Sequence, residues 1–79
     1  MKTTLDTPTD ILIFETSLRC KQDVLRVSPM IAANTRIKKW NVDCEDVSKV
    51  LRVEAHDMSP HEIIEIITKA GYHCAELQD

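Results

Sequence analysis

The sequence predicts a small α+β domain with the element order β-α-β-β-α-β. Two observations carry this. Apolar residues alternate in three short runs and recur at helical spacing in two longer ones. A strong helix start at Ser59-Pro60 and the lone glycine, Gly71, bracket the second helix.

The first run, Ile11 to Leu18, reads as a strand, with Phe14, Thr16 and Leu18 on one face and Ile11, Ile13 and Glu15 on the other. Val24, Val27 and Ile31 then fall at i, i+3 and i+7, with Met30 beside them. This spacing predicts a helix over Lys21–Asn34 that bends at Pro29, because proline lacks the amide hydrogen a helix interior needs. Ile37 to Cys44 is a second strand that turns Trp40 and Val42 inward. Cys44 to Lys49 is polar enough for a hairpin loop, and Val50 to Ala55 alternates Leu51, Val53 and Ala55 against Arg52 and Glu54.

Met58-Ser-Pro-His-Glu is the clearest local signal. Ser59 is an N-cap, Pro60 takes the first helical position and Glu62 completes a capping box. Ile63, Ile64, Ile66, Ile67 and Ala70 form a broad apolar stripe, and Gly71 is the expected left-handed stop. Tyr72 to Leu77 is a short last strand. Two βα units joined by a hairpin fold as a ferredoxin-like sandwich, one four-stranded antiparallel sheet with both helices on one face. Residues 1–10 are expected to be a flexible leader, and 11–79 a single domain.

Bulk properties narrow the function. The 79 residues carry 10 basic and 13 acidic side chains, a net charge of −3, which argues against nucleic acid and anionic membrane as partners. The polar opening Met1–Asp10 has no apolar signal-peptide core, so a reducing cytoplasm is expected. Three cysteines in such a compartment predict no disulfide framework. No acid–base pair or Ser/His/Asp set is present, and Ser17 to Asp23 lacks the glycine a phosphate cradle needs, so the chain is not expected to be an enzyme.

The residues that carry chemistry cluster after the first strand. Cys20 stands at the strand-to-helix junction between Arg19 and Lys21, where free amides and positive charge favour a thiolate. Asp23 is an acid in the first turn, favourable toward the helix dipole. Cys44 and Cys74 lack a neighbouring cysteine at metal-site spacing. His61 reads as solvated, His73 is within reach of the first loop in this fold, and Arg36, Lys38 and Lys39 read as a solvated charge run.

With Phe14, Thr16 and Leu18 on the inward face, Cys20 at the junction and Ala70-Gly71-Tyr72 closing the second helix, the chain resembles the heavy-metal-associated domain family. That family includes copper chaperones and the N-terminal domains of copper-exporting ATPases. Its signature is Gly-Met-x-Cys-x-x-Cys. Here Ser17 replaces the glycine, Leu18 the methionine and Asp23 the second cysteine, while Cys20 matches the first. The resemblance implies a metal loop at Cys20 and Asp23 with Tyr72 beside it. Cu(I) prefers two soft thiolates, and a carboxylate is hard. The resemblance therefore implies a degenerate member, expected to be a protein-interaction or regulatory module with a protein partner. The alternative is a soft-metal carrier, for Cu(I) or a similar ion, using Cys20 shared across a homodimer.

Overall fold

The computed structural model describes residues 9–19 and 21–77. Its elements are β1 (Asp10–Thr16), α1 (Gln22–Ala32), β2 (Ile37–Asp43), β3 (Val50–Ala55), α2 (Pro60–Lys69) and β4 (Cys74–Glu76). The strands form one sheet in the order β2-β3-β1-β4, every pairing antiparallel. This is the expected ferredoxin-like fold. β1 begins at Asp10, one residue inside the expected leader, and residues 1–8 of that leader lie outside the described residues.

Alternation decides the core. Phe14 from β1 and Leu51, Val53 and Ala55 from β3 are fully buried, and they meet Val27 and Ile31 of α1 and Ile63 and Ile67 of α2 in a single apolar cluster. Both helices thus cover the same face. Trp40 and Val42 pack against this cluster from β2 while remaining half-buried. The opposite face keeps Ile11 exposed.

Pro29 lies inside α1. Its missing amide hydrogen orphans the carbonyl of Leu25, four residues back. Leu25 is 73% exposed, so water can serve that carbonyl and the helix continues. The helix is shorter than expected at both ends. Its N-cap, Lys21, has φ 55 and ψ −69, a positive-φ conformation outside the left-handed helical region that a residue with a side chain rarely adopts.

α2 starts and stops as the sequence requires. The Ser59 N–H donates to Glu62 Oε2 at 2.9 Å, closing the capping box. Glu62 also pairs with Arg36, whose Nη1 donates to the Asp57 carbonyl at 2.9 Å. Arg36 therefore links the residue before β2 to the start of α2 while remaining exposed. The Ser59 amide first, then Arg36, hold the Glu62 carboxyl below its usual range.

At the other end Gly71 has φ 98. The Gly71 N–H donates to Thr68 O at 2.9 Å and the Tyr72 N–H to Ile67 O at 3.3 Å, the paired bonds of a Schellman stop. That turn reverses the chain into β4 and fixes where Tyr72 projects.

Two substitutions test this account. Gly71→Ala meets no atom within 4 Å, so its cost comes from backbone conformation alone, about 1–2 kcal/mol by urea denaturation. Ile67→Ala, by contrast, leaves a cavity among fully buried neighbours and costs about 2–5 kcal/mol in the same measurement.

Candidate functional site

The turn from β1 to α1 is pinned from three directions. Thr16 is a polar residue on the buried face of β1, and its hydroxyl donates to the Lys49 carbonyl at 2.7 Å while accepting from the Leu18 N–H at 3.2 Å. The Thr16 N–H reaches Ser48 O at 3.0 Å. These bonds tie the turn to the β2–β3 hairpin. On the opposite side the Ser17 N–H donates to His73 O at 3.2 Å, and the His73 N–H returns to Ser17 Oγ at 2.8 Å. The His73 ring lies 3.0 Å from Glu15 Oε2. His73 thus meets the first loop, mainly through its backbone.

The third tie is Asp23. Its residue is only 4% exposed, unusual for a carboxylate in a chain this small. Oδ2 accepts from the Arg19 N–H at 2.7 Å and from Arg19 Nε at 3.3 Å, and Oδ1 accepts from the Tyr72 hydroxyl at 2.9 Å. The Arg19 amide is the main influence holding the Asp23 carboxyl below its usual range. Burial opposes it, and the Tyr72 hydroxyl and the Arg19 guanidinium add to it. Tyr72 responds in the opposite sense. Burial and donation to the Asp23 carboxylate both favour the protonated phenol and raise its pKa.

Of the three residues singled out in the sequence, the structure brings Asp23 and Tyr72 together, and Cys20 lies outside the described residues. Both oxygens of Asp23 accept hydrogen bonds, one from Tyr72 and the other from Arg19. Among the described residues no group of three His, Cys, Asp or Glu side chains is placed to hold a metal ion. His61 is exposed, 3.8 Å from Glu65. Cys74 is a free buried thiol, and burial pushes its pKa up to about 11.

Sequence reasoning missed two participants. Thr16 was legible as an inward strand residue, but its hairpin partners are 33 residues away and no local pattern names them. Cys44 is held in a disulfide, although no disulfide framework was expected. Compartment-based reasoning addresses whether thiols persist reduced, whereas the fold decides which of them can meet. No helix among the described residues is long and apolar enough to cross a membrane.

The Asp23 lock has a pH signature. Its lowered pKa means the ionised form stabilises the fold. That contribution is complete above the unfolded value, near 3.8, and is lost as pH falls through the folded value. Asp23→Asn should therefore flatten the stability profile below about pH 4, and Tyr72→Phe should move the Asp23 carboxyl titration, followed by NMR, upward toward the ordinary range. An unmoved titration would show that the 2.9 Å bond contributes nothing. No family model and no curated protein sequence matches the chain. Solved structures do. Oxidized MerP from Ralstonia metallidurans CH34 superposes with a TM-score of 0.75 at 19% identity, covering 90% of this chain and 100% of that one. The N-terminal domain of ZntA in the apo-form gives 0.75 at 17%, covering 90% and 96%. The Atx1-Cu(I)-Ccc2a complex gives 0.74 at 19%, covering 91% and 99%. At these identities the likeness establishes the fold, the one shared by heavy-metal-associated domains.

Proposed function

We propose that this chain is a non-catalytic protein-interaction or regulatory module of heavy-metal-associated type, with a degenerate metal site. The observation that supports it is the hydrogen-bonded lock on Asp23. This residue stands where the resemblance calls for a second thiolate, and its carboxylate is occupied by Arg19 and Tyr72. The turn is held here by a backbone amide, a guanidinium and a phenol hydroxyl. The preserved sandwich then serves to present that rigid turn to a protein partner. Fold alone does not decide this, because the same architecture hosts unrelated activities.

A second reading, a soft-metal carrier using Cys20 with a second copy or a partner's thiol, draws on the likeness to the Atx1-Cu(I)-Ccc2a complex. A Cu(I) titration of fully reduced protein against a competing chelator separates the two. The wild type is expected to leave the chelator's Cu(I) intact, and Asp23→Cys, which restores two thiolates at x₂ spacing, to compete at one ion per chain. Tight binding by the wild type would overturn the interaction reading. One ion per two chains in native mass spectrometry would establish the shared-carrier reading in its place.

A further inference from the structure

β2 is an edge of the sheet order β2-β3-β1-β4, and among the described residues no strand pairs with its outer side. The ladder fixes which backbone groups that side presents. The Ile13 carbonyl accepts from the Leu77 N–H and the Ser17 N–H donates to His73 O, so the odd-numbered residues of β1 turn their polar groups toward β4. Leu12 and Phe14 therefore bond β3, at Val53 and Leu51. Val50, Arg52 and Glu54 then face β2, where their partners are Asp43, Asn41 and Lys39. The outer side is left with the N–H and C=O of Trp40 and of Val42. The Val42 carbonyl lies 3.7 Å from the Cys44 sulfur, and a disulfide sulfur has no proton to donate, so that carbonyl can still accept an N–H.

We propose that this edge pairs with the same edge of a second copy of the chain, antiparallel and centred on Asn41, joining two four-stranded sheets into one across a two-fold axis. Backbone parity and charge select the register together. Outward-facing residues bond only outward-facing residues, so Trp40 must meet Trp40, Val42 must meet Val42, or Trp40 must meet Val42. The third choice uses both residues of both strands. Trp40 exchanges N–H and C=O with the partner's Val42, and the two-fold axis repeats the exchange. The same register sets Lys39 directly opposite the partner's Asp43, twice, on the solvent face where both side chains are exposed. With Trp40 against Trp40, Lys39 faces the partner's Asn41. With Val42 against Val42, Asp43 does. Only the Asn41-centred register gives the edge charge complementarity toward itself.

The side chains on the other face agree. Val24 and Leu25 of α1 line an apolar groove with Trp40 and Val42 along this edge, and Leu25 is largely exposed. Pairing sets the partner's Val42 beside Trp40 at the mouth of that groove and brings the two α1 helices to the same side of the joined sheet. The register of β2 with β3 shifts between Ile37 and Lys39, so the regular ladder, and with it the new pairing, is confined to Lys39–Asp43. The opposite edge, β4, is only three residues long and offers little to a competing strand. The surface is separate from the β1–α1 turn, and the proposal goes beyond the interaction reading.

The test is sedimentation equilibrium of the wild-type chain in a metal chelator over a range of concentrations, with amide hydrogen exchange followed by NMR. The expected result is a reversible dimer. The Trp40 and Val42 amides should gain protection as concentration rises, while the Asn41 amide, already bonded to β3, is unchanged. Lys39→Glu and Asp43→Lys should each weaken self-association by about tenfold, because each sets like charges opposite across the axis. An equimolar mixture of the two should pair again, since Glu then faces Lys and Asp faces Lys. A monomer at every concentration would overturn the proposal. So would a dimer protected elsewhere than Trp40 and Val42, or one that survives denaturant without reductant and is therefore covalent. The wild-type exchange pattern is decisive on its own, so a poorly folding variant does not weaken the test. A monomer would leave the interaction reading intact, and Cu(I) competition would overturn that reading without touching this edge.

Discussion

The turn between β1 and α1 depends on one buried carboxylate. A carboxylate removed from water must be surrounded by donors, or it is driven toward its protonated form. Asp23 meets that demand with a backbone amide and a guanidinium from Arg19 and with the Tyr72 hydroxyl. The donors come from two residues, each placed by a different piece of backbone geometry. The Arg19 amide faces Asp23 only if the turn before α1 coils tightly, and Lys21 is held at φ 55 in that turn. The Tyr72 hydroxyl arrives only because α2 stops at Gly71. Loss of the carboxylate would remove the link between the turn, the first turn of α1 and the Tyr72 hydroxyl, leaving the Thr16 and His73 ties in place.

Thr16 performs the companion task on the other side. A hydroxyl on a buried strand face is costly unless it is bonded. Thr16 satisfies itself twice, to Lys49 and to Leu18, and in doing so couples the turn to the hairpin. The arrangement leaves no buried side-chain polar atom without a partner among the described residues. The opposite end of the sandwich is organised separately, by Arg36 between Asp57 and Glu62. The polar contacts at the other end converge on a single turn.

That convergence gives meaning to the likeness with MerP, ZntA and the Atx1-Cu(I)-Ccc2a complex. What is shared is the frame that carries a turn between a central strand and a helix. A frame constrains where chemistry can be placed, not which chemistry is placed there. Here the turn is filled by hydrogen bonds at Asp23, while a sulfur bond engages the hairpin at Cys44.

The sequence by itself determined the order of the elements, the inward residues Phe14, Leu51 and Val53, the capped start of α2 and its stop at Gly71. Each is written in local periodicity or in the conformational demand of one residue, and neither needs knowledge of distant neighbours. It also marked Asp23 and Tyr72 as belonging to one place, through the pattern of a known family. The tertiary structure decided what they do there. Whether an acid in a first helical turn is solvated, ligates an ion or is sealed by donors depends on groups up to 49 residues away. The same holds for Thr16 with Lys49, for Arg36 with Glu62 and for the bonded state of Cys44. These are contacts between elements, and their energies appear only when packing brings the partners together and excludes water from between them.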